Sequence, residues 1–248
     1  MINMLVSIVT ICYNSAAVIR KTIESVLAQS YDKIEYLIID GASKDATVSI
    51  AREYESRFLE KGYSYRIISE PDKGIYDAMN KGIRNSSGKL IGLINSGDWY
   101  EPDAVSTAAE SYLDDPYDLF YADINLVRSD GSVMVKRSRY DRFPTSRHWN
   151  HPTMFVPRST YEELGLYRCE GIHDDFEFFL RVRRANKKIT IVNKTIANFV
   201  TGGASNSKSF AACKKRCLDR YRDYRINGYS CLYFIECVGI ETAKYFLS

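Results

Sequence analysis

Acidic and polar residues follow apolar segments of the chain at the point where each segment ends. Residues 90–94 form an uninterrupted apolar run that is followed by Asn95, Ser96, Gly97 and Asp98, a pattern typical of a buried parallel strand. A carboxylate held at the end of such a strand can bind a metal ion against a phosphate. Asp and Gly are also ordinary turn residues, and for this segment alone a simple turn is the better explanation.

Three earlier apolar segments also end in polar residues. Tyr13 follows the segment 5–11, and Asp40 follows the segment 35–39. Asp72 and Lys73 follow the segment 65–68. Because the carboxyl ends of parallel strands meet at one edge of a sheet, we expect these groups along a shared rim. A rim of carboxylates with a lysine and several glycines is suited to a polar, anionic ligand.

Helical apolar periodicity separates these strands, over residues 16–29, before Gly62 and after Gly74. Parallel strands joined by helices form a doubly wound α/β sheet of the nucleotide-binding type. No Gly-x-Gly-x-x-Gly follows the first strand, and the chain has no Gly-x-x-x-x-Gly-Lys-Ser/Thr, which argues against a dinucleotide enzyme and a P-loop ATPase. A nucleotide would therefore be held by side chains.

The second half of the chain predicts antiparallel strands as well. Residues 129–132 read Ser-Asp-Gly-Ser between two apolar segments, which is a hairpin signal with a two-residue turn. The expected fold is therefore a mixed sheet flanked by helices.

Two adjacent aspartates, Asp174 and Asp175, precede the segment Phe-Glu-Phe-Phe-Leu-Arg. If a helix begins there, both lie in its first turn, where backbone N–H groups and the helix dipole favour negative charge. Capping explains one of them. For the other we favour catalysis, because a carboxylate at a helix start can face a neighbouring cleft while its backbone stays fixed.

The overall composition restricts the partners and the compartment. With 34 basic and 31 acidic residues, the net charge of +3 is too small to indicate nucleic-acid binding by the whole chain. The six cysteines include no Cys-x-x-Cys pair, which indicates reduced packing residues in a cytoplasmic protein. No signal peptide or membrane-spanning run is recognisable, so we expect the chain to stay inside the cell.

The C-terminal segment combines basic and apolar residues. Residues 208–225 carry seven basic residues, and the apolar residues that follow are interrupted by Glu236, Glu241 and Lys244. We expect a helical extension that is too short and too charged to span a membrane. It could lie on the inner leaflet, with its basic residues near anionic lipid. The alternative is a helix packed on the main domain or on a second copy in a homodimer; we slightly favour the membrane surface.

Four segments in order carry a family resemblance: IIDGASKDAT (38–47), SEPDKGIYDAMNKG (69–82), LINSGDWY (93–100) and DFEFFLR (175–181). Together with SIVTICYNS near the start, they resemble the family-2 glycosyltransferases of the GT-A fold, in particular the bacterial surface-polysaccharide type. The resemblance covers roughly residues 4–205. It implies a GT-A domain over residues 1–205 and a helical extension over residues 206–248.

The resemblance also implies roles for single residues. Thr10, Tyr13 and Asp40 would line the nucleotide pocket, Asp72 and Lys73 would approach the nucleotide or its diphosphate, and Asn95 and Asp98 would lie at the donor. Asp98 matches the last Asp of the family's D-x-D motif, which binds Mn²⁺ or Mg²⁺, whereas Ser96 replaces the first Asp. Asp175 matches the general base.

Three further residues are weaker candidates for the acceptor site. His151 lies where related enzymes carry a polar segment near the acceptor, Trp149 could either stack on a sugar or pack in the core, and Asp174 is the acidic neighbour of the base. The expected reaction is an inverting transfer from a nucleotide sugar, a UDP-sugar, to a saccharide or lipid-linked acceptor. The alternatives are a non-catalytic nucleotide-sugar or carbohydrate-binding module and a sugar-phosphate nucleotidyltransferase.

Overall fold

Parallel strands form the first half of the sheet in a computed structural model that describes residues 4–201 and 209–247. These strands are β1 (Val6–Cys12), β2 (Ile34–Asp40), β3 (Ser64–Ser69) and β4 (Leu90–Asn95), in the spatial order β3-β2-β1-β4. The order reverses at β1, since β2 lies on one side of it and β4 on the other. In open α/β sheets ligands bind at the carboxyl ends of the strands near such a reversal.

Helices connect these strands as the periodicity predicts. They are α1 (Ile19–Leu27), α2 (Thr47–Arg52), α3 (Glu55–Glu60), α4 (Ile75–Asn85) and, after β4, α5 (Ala104–Asp114). The prediction of a single helix before Gly62 was wrong, because the segment forms two helices, α2 and α3. A tight turn separates them, in which the N–H groups of Glu53 and Tyr54 donate to carbonyls three residues earlier.

The second half of the sheet is mixed, as expected. Its strands are β5 (Trp99–Tyr100), β6 (Leu119–Val127), β7 (Val133–Lys136), β8 (Phe155–Pro157) and β9 (Ile189–Val200), and the order continues β4-β8-β6-β9-β5 with β7 beside β6. The β6–β7 hairpin is confirmed, but it closes through the five residues 128–132 rather than a two-residue turn. A short 3₁₀ turn (His151–Thr153) and α6 (Arg158–Leu164) flank β8.

Apolar side chains alternate along the strands and form one core on each face of the sheet. Ile8 and Ile38 pack into the first core with α3, whereas Val9 and Leu37 pack into the second core with α7 (Asp174–Arg184).

The predicted helical extension is present as α8 (Phe210–Ile226) and α9 (Tyr233–Leu247). Cys217, Tyr224 and Cys237 of these helices are buried in the second core, so the extension shares its packing with the sheet. The expected boundary between residues 205 and 206 lies outside the described residues. Of the helices that the structure describes, none is both long enough and apolar enough to cross a bilayer.

Candidate active site

A cleft of about 1000 Å³ opens at the carboxyl end of β4. The turn after β4, the start of α4, the start of α7 and one side of α8 form its walls. Both Asp98 and Asp175 line it, which confirms that the two predicted carboxylates share one cavity. Its other polar lining residues include Lys73, Asp77, Asn95, His151, His173 and Lys215.

Helix α1 holds the turn that presents Asp98. Gly97 has φ +99°, a conformation that glycine adopts without strain, and its N–H donates to the Thr22 hydroxyl at 3.0 Å. The same hydroxyl donates to the Asp98 carbonyl at 2.7 Å. Because Thr22 is fully buried in α1, the position of Asp98 is fixed by the packing of the helix on the sheet.

Asp98 is 5% exposed, and burial raises the pKa of its carboxyl group to about 7. One hydrogen bond, donated by the Val200 N–H at 3.0 Å, partly opposes this effect. A nearby cation would stabilise the ionised form.

Asn95 and Asp98, which both line the cleft, carry oxygen atoms of the kind that a hard cation prefers. Oδ1 of Asn95 is buried without a hydrogen-bond partner in the structure and lines the cleft with Asp98. Mg²⁺ is commonly held by one or two carboxylates together with phosphates and waters, so one carboxylate and one amide oxygen fit such an ion. Over residues 4–201 and 209–247, no three His, Cys, Asp or Glu side chains converge as a complete protein cage.

Asp175 occupies the first turn of α7, as predicted. Its Oδ1 accepts a hydrogen bond from the Tyr76 hydroxyl at 2.8 Å and one from the Phe176 N–H at 2.8 Å. Tyr76 belongs to α4, so two helices that flank the cleft fix the carboxylate between them. Within residues 4–201 and 209–247, no group donates a hydrogen bond to Oδ2, and the side chain is only partly buried.

Asp174 is the member of the aspartate pair whose carboxylate binds the loop before α7 and not the N–H groups of the helix. It is fully buried, and its Oδ2 accepts hydrogen bonds from the backbone N–H groups of Glu170 at 2.7 Å and Gly171 at 3.1 Å. Its Oδ1 lies 3.5 Å from the guanidinium of Arg222 in α8. The structure therefore assigns Asp174 to the support of the loop before α7 and does not place it at the acceptor.

The rim beside the cleft brings Tyr13 and Asp72 together. A Cβ added at Gly41 would lie 2.4 Å from Asp72 Oδ2 and 3.3 Å from Tyr13 Cδ2, so all three residues meet. Tyr13 is 62% exposed, and Lys73, which follows Asp72, lines the cleft. This part of the rim is open to a ligand.

Asp40 and Thr10 lie below that rim. Asp40 was expected to line the nucleotide pocket, but it is fully buried and accepts hydrogen bonds from the Ser43 N–H at 3.0 Å and the Ser69 hydroxyl at 2.6 Å, so its oxygens order the rim from below. Thr10 was expected in the nucleotide pocket, but it is fully buried in β1 and accepts a hydrogen bond from Tyr36. Strand alternation turns its side chain into the core.

His151 and Trp149 have different environments. His151 lines the cleft, and burial lowers its pKa although the charge of Asp175 acts in the opposite direction, so its imidazole is neutral near pH 7. Trp149 is 6% exposed and stacks on Phe179 with its ring centroid 5.3 Å away. The structure thus places Trp149 in the second core and not at the acceptor.

Sequence reasoning missed Tyr76 and Lys215. The position of Tyr76 on the same segment as Asp72 and Lys73 was a usable signal, because it lies at the start of the helix that follows the rim. Lys215 had no such signal, since only the folding of α8 against α7 brings the C-terminal extension to the cleft.

Known proteins are similar to this chain in sequence or in fold. The family model described as "Glycosyl transferase family 2" matches residues 7–189. An uncharacterized glycosyltransferase of Mycobacterium tuberculosis strain H37Rv is 31% identical over 235 residues, a match that covers 90% of this chain and 86% of that relative.

Solved structures of low sequence identity show the same fold. TarS 1-349 of S. aureus, in complex with UDP-GlcNAc, has a TM-score of 0.70 at 14% identity, over 98% of this chain and 73% of that one. The mannosyltransferase PcManGT from Pyrobaculum calidifontis, in complex with GDP-Man and Mn²⁺, has a TM-score of 0.66 at 15% identity, over 98% and 70%. With the family match over most of the chain, we conclude that this protein belongs to glycosyl transferase family 2 and has the GT-A fold.

Proposed function

We propose that this protein is an inverting glycosyltransferase that transfers a sugar from a UDP-sugar to a saccharide or lipid-linked acceptor in bacterial surface-polysaccharide assembly. The observation that supports it most is the presence of Asp98 and Asp175 in one cleft. The two carboxylates have different environments, one buried beside Asn95 and one held by Tyr76. Different environments suit different roles, one at the donor and one at the acceptor.

Asp98 and Asn95 form the donor end of the site in this proposal. They would hold Mn²⁺ or Mg²⁺, which when bound supplies Lewis-acid stabilisation of the leaving diphosphate. Lys73 lines the same cleft and would add a positive charge beside the phosphates. Tyr13 and Asp72 would contact the nucleoside on the open rim, with Asp40 supporting them from below.

Asp175 acts as the general base. It takes the proton of the acceptor hydroxyl while that oxygen forms a bond to the anomeric carbon, and the bond from this carbon to the diphosphate breaks on the opposite face. One displacement of this kind inverts the anomeric configuration. Tyr76 orients the base through its 2.8 Å hydrogen bond, and neutral His151 leaves the carboxylate free of a competing cation on that side.

The choice of donor and metal draws on the similar structures. TarS was solved with UDP-GlcNAc and PcManGT with GDP-Man and Mn²⁺, so proteins of this fold accept either nucleotide. We retain UDP as the expected nucleotide. We also expect the reaction at the cytoplasmic face of the plasma membrane, where a lipid-linked acceptor would be available.

A turnover assay separates this proposal from its alternatives. The purified protein is incubated with UDP- and GDP-sugars, Mn²⁺ and oligosaccharide acceptors, and products are followed by mass spectrometry and by NMR of the anomeric proton. Transfer with inverted configuration is expected. UDP binding without any hydrolysis or transfer would indicate a non-catalytic module, and release of pyrophosphate from a sugar phosphate and UTP would indicate a nucleotidyltransferase.

A further inference from the structure

Helix α9 exposes apolar side chains and turns its acidic residues toward the protein. Ile235 is 71% exposed, and Leu232, just before the helix, is 69% exposed. Phe234 and Val238 are exposed on the same side. By contrast Glu241 is only 4% exposed. The usual surface helix shows the opposite arrangement, with its apolar stripe inward and its charges in water.

Buried ion pairs fix this orientation of α9. Glu241 accepts hydrogen bonds from Arg216 at 2.7 Å and from Arg220 at 2.9 Å, and both arginines belong to α8 and are buried. Glu236 accepts a hydrogen bond from the buried Tyr224 at 2.8 Å. Rotating α9 to hide its apolar face would leave buried charges without partners, which is strongly unfavourable. These buried contacts therefore keep the apolar face of α9 exposed.

Basic side chains border this apolar face on both sides. On one side, Tyr221 of α8 contacts Phe234 with ring centroids 5.2 Å apart, and the exposed Lys214 and Arg225 lie on the same stripe of α8. On the other side, a pocket of about 350 Å³ is lined by Glu236, by Asp141, which pairs with Arg139 at 2.8 Å, and by the exposed Arg142, Phe143 and Arg147.

We propose that this face, which we call the α9 surface, docks on a membrane that contains anionic lipid. It comprises Leu232, Phe234, Ile235 and Val238 with the bordering basic residues of α8 and of the 139–147 loop. The apolar side chains enter the lipid interface with α9 parallel to the membrane plane, and the basic residues meet the lipid headgroups.

The position of the cleft agrees with this partner. Helix α8, which borders the α9 surface, also lines the cleft through Ala212 and Lys215. Docking would hold the cleft beside the lipid, where a lipid-linked acceptor is found. The inference thus rests on the proposed function for its biological sense, although membrane binding itself requires no catalysis.

A second copy of the chain fits this face less well. In a two-fold dimer the same patch meets itself, so the basic borders of one copy would lie against those of the other. Anionic lipid neutralises the basic residues instead. Charge complementarity therefore favours the membrane.

Sedimentation of the full chain with lipid vesicles tests the proposal. Vesicles of phosphatidylcholine alone are compared with vesicles that also contain phosphatidylglycerol. The protein should bind the anionic vesicles, and Ile235→Glu should lower the bound-to-free ratio by about tenfold or more because a charge replaces a side chain that enters the interface. The matched control is Leu59→Glu, since Leu59 is 58% exposed in α3 on the opposite face of the sheet; it should bind like the wild type.

Charge is tested with a second pair of variants. Lys214→Gln with Arg147→Gln should lower binding by about fivefold per positive charge removed, whereas Lys33→Gln with Arg52→Gln, at exposed positions before β2 and in α2, should have little effect. Transfer to a water-soluble acceptor should be unchanged in Ile235→Glu, so a failure of membrane binding is distinguishable from a failure of the proposed activity.

Three outcomes would overturn the proposal. The first is a wild-type protein that ignores anionic vesicles. The second is equal binding by Ile235→Glu and Leu59→Glu. The third is a dimer in analytical ultracentrifugation that Ile235→Glu dissociates while vesicles have no effect, because the α9 surface would then be a contact between two copies.

Discussion

The two carboxylates of the cleft are held in opposite ways, and this difference is testable at the level of single residues. Asp98 is buried with one backbone donor, whereas Asp175 receives a hydroxyl hydrogen bond and is partly open to the cleft. Burial of Asp98 disfavours its charge, so without a bound cation the ionised carboxylate is unfavourable for the folded protein at neutral and higher pH. A bound cation would remove that cost.

Asp98→Asn should keep or raise the melting temperature of the protein while abolishing its stabilisation by UDP with Mn²⁺. The folded-state pKa of about 7 lies above the ordinary value of 3.8, so the contribution of this carboxyl to stability is fully present below about pH 3.8 and is lost as the pH rises from there through about 7. We expect Asp98→Asn to melt at or above the wild-type temperature at pH 8, with a smaller difference at pH 5. The stabilisation of the wild type by UDP with Mn²⁺ should be lost in the variant.

Differential scanning fluorimetry at both pH values measures these effects. The wild-type gain from UDP with Mn²⁺ should itself be larger at pH 8 than at pH 5, because Asp98 is ionised only at the higher pH. If Asp98→Asn keeps the full Mn²⁺-dependent gain at pH 8, the cation binds elsewhere.

Tyr76→Phe should reduce the rate without affecting donor binding. The substitution removes only the hydroxyl that donates to Asp175. A hydrogen bond to a charged group contributes about 1.5–3 kcal/mol, so we expect kcat to fall by about tenfold or more. Steady-state kinetics with varied UDP-sugar provide the measurement. A raised KM for the donor with unchanged kcat would show that Tyr76 serves the nucleotide instead.

At the scale of helices and strands, the carboxyl ends of the strands could be predicted from the sequence, whereas the contacts that the helices make with other elements could not. An apolar run followed by polar residues marks the carboxyl end of a buried strand, so the positions of Asp40 and Asp98 could be predicted. Which atoms face the cavity depends on alternation within the strand, and for Thr10 this placed the side chain in the core. The short turn that splits α2 from α3 has no clear signal in an apolar pattern that continues across it.

Gly82 in α4 allows the helix to lie close to β1. A Cβ at this position would come within 2.2 Å of Val9 Cγ1, a contact that forces the helix outward. We expect Gly82→Ala to destabilise the protein by about 1–3 kcal/mol, measured by urea denaturation. It should also lower transfer, because α4 carries Tyr76.

Gly239→Ala is the matched control for this prediction. Gly239 lies in α9, and a Cβ there meets no atom of the described residues within 4 Å. The substitution should be neutral or slightly stabilising, since alanine favours a helix over glycine by about 1 kcal/mol. Equal stability of Gly82→Ala and Gly239→Ala would show that α4 does not pack on β1 as described.

At the scale of the whole molecule, the C-terminal extension is part of the same packed unit as the sheet. Tyr224 of α8 is fully buried in the second core, and Arg222 pairs with Asp174 at the start of α7. The sequence suggested an extension but contained no pattern that predicted these contacts, because α8 has a weak apolar periodicity and meets distant segments. The position of Lys215 at the cleft could not be predicted for the same reason.

Removing the extension should therefore disrupt the whole fold. A chain that ends at residue 201 loses Tyr224, a loss that alone is expected to cost about 3 kcal/mol or more, and exposes Phe176 of α7. We expect the truncated chain to bind a hydrophobic dye and to lose the cooperative thermal transition of the full chain. A truncated chain that unfolds cooperatively at the full-length temperature would show that residues 1–201 form an independent domain.

The general base is the feature on which the proposed reaction depends most. Asp175→Asn retains the shape of the side chain and its place between Tyr76 and Phe176, but it cannot accept the acceptor proton as a carboxylate does. The direct measurement is the transfer rate of Asp175→Asn together with its affinity for UDP by calorimetry. We predict a fall in kcat of about 10²–10⁴ with UDP affinity close to that of the wild type. Undiminished transfer, or a large loss of UDP affinity, would contradict the assignment of Asp175 as the base.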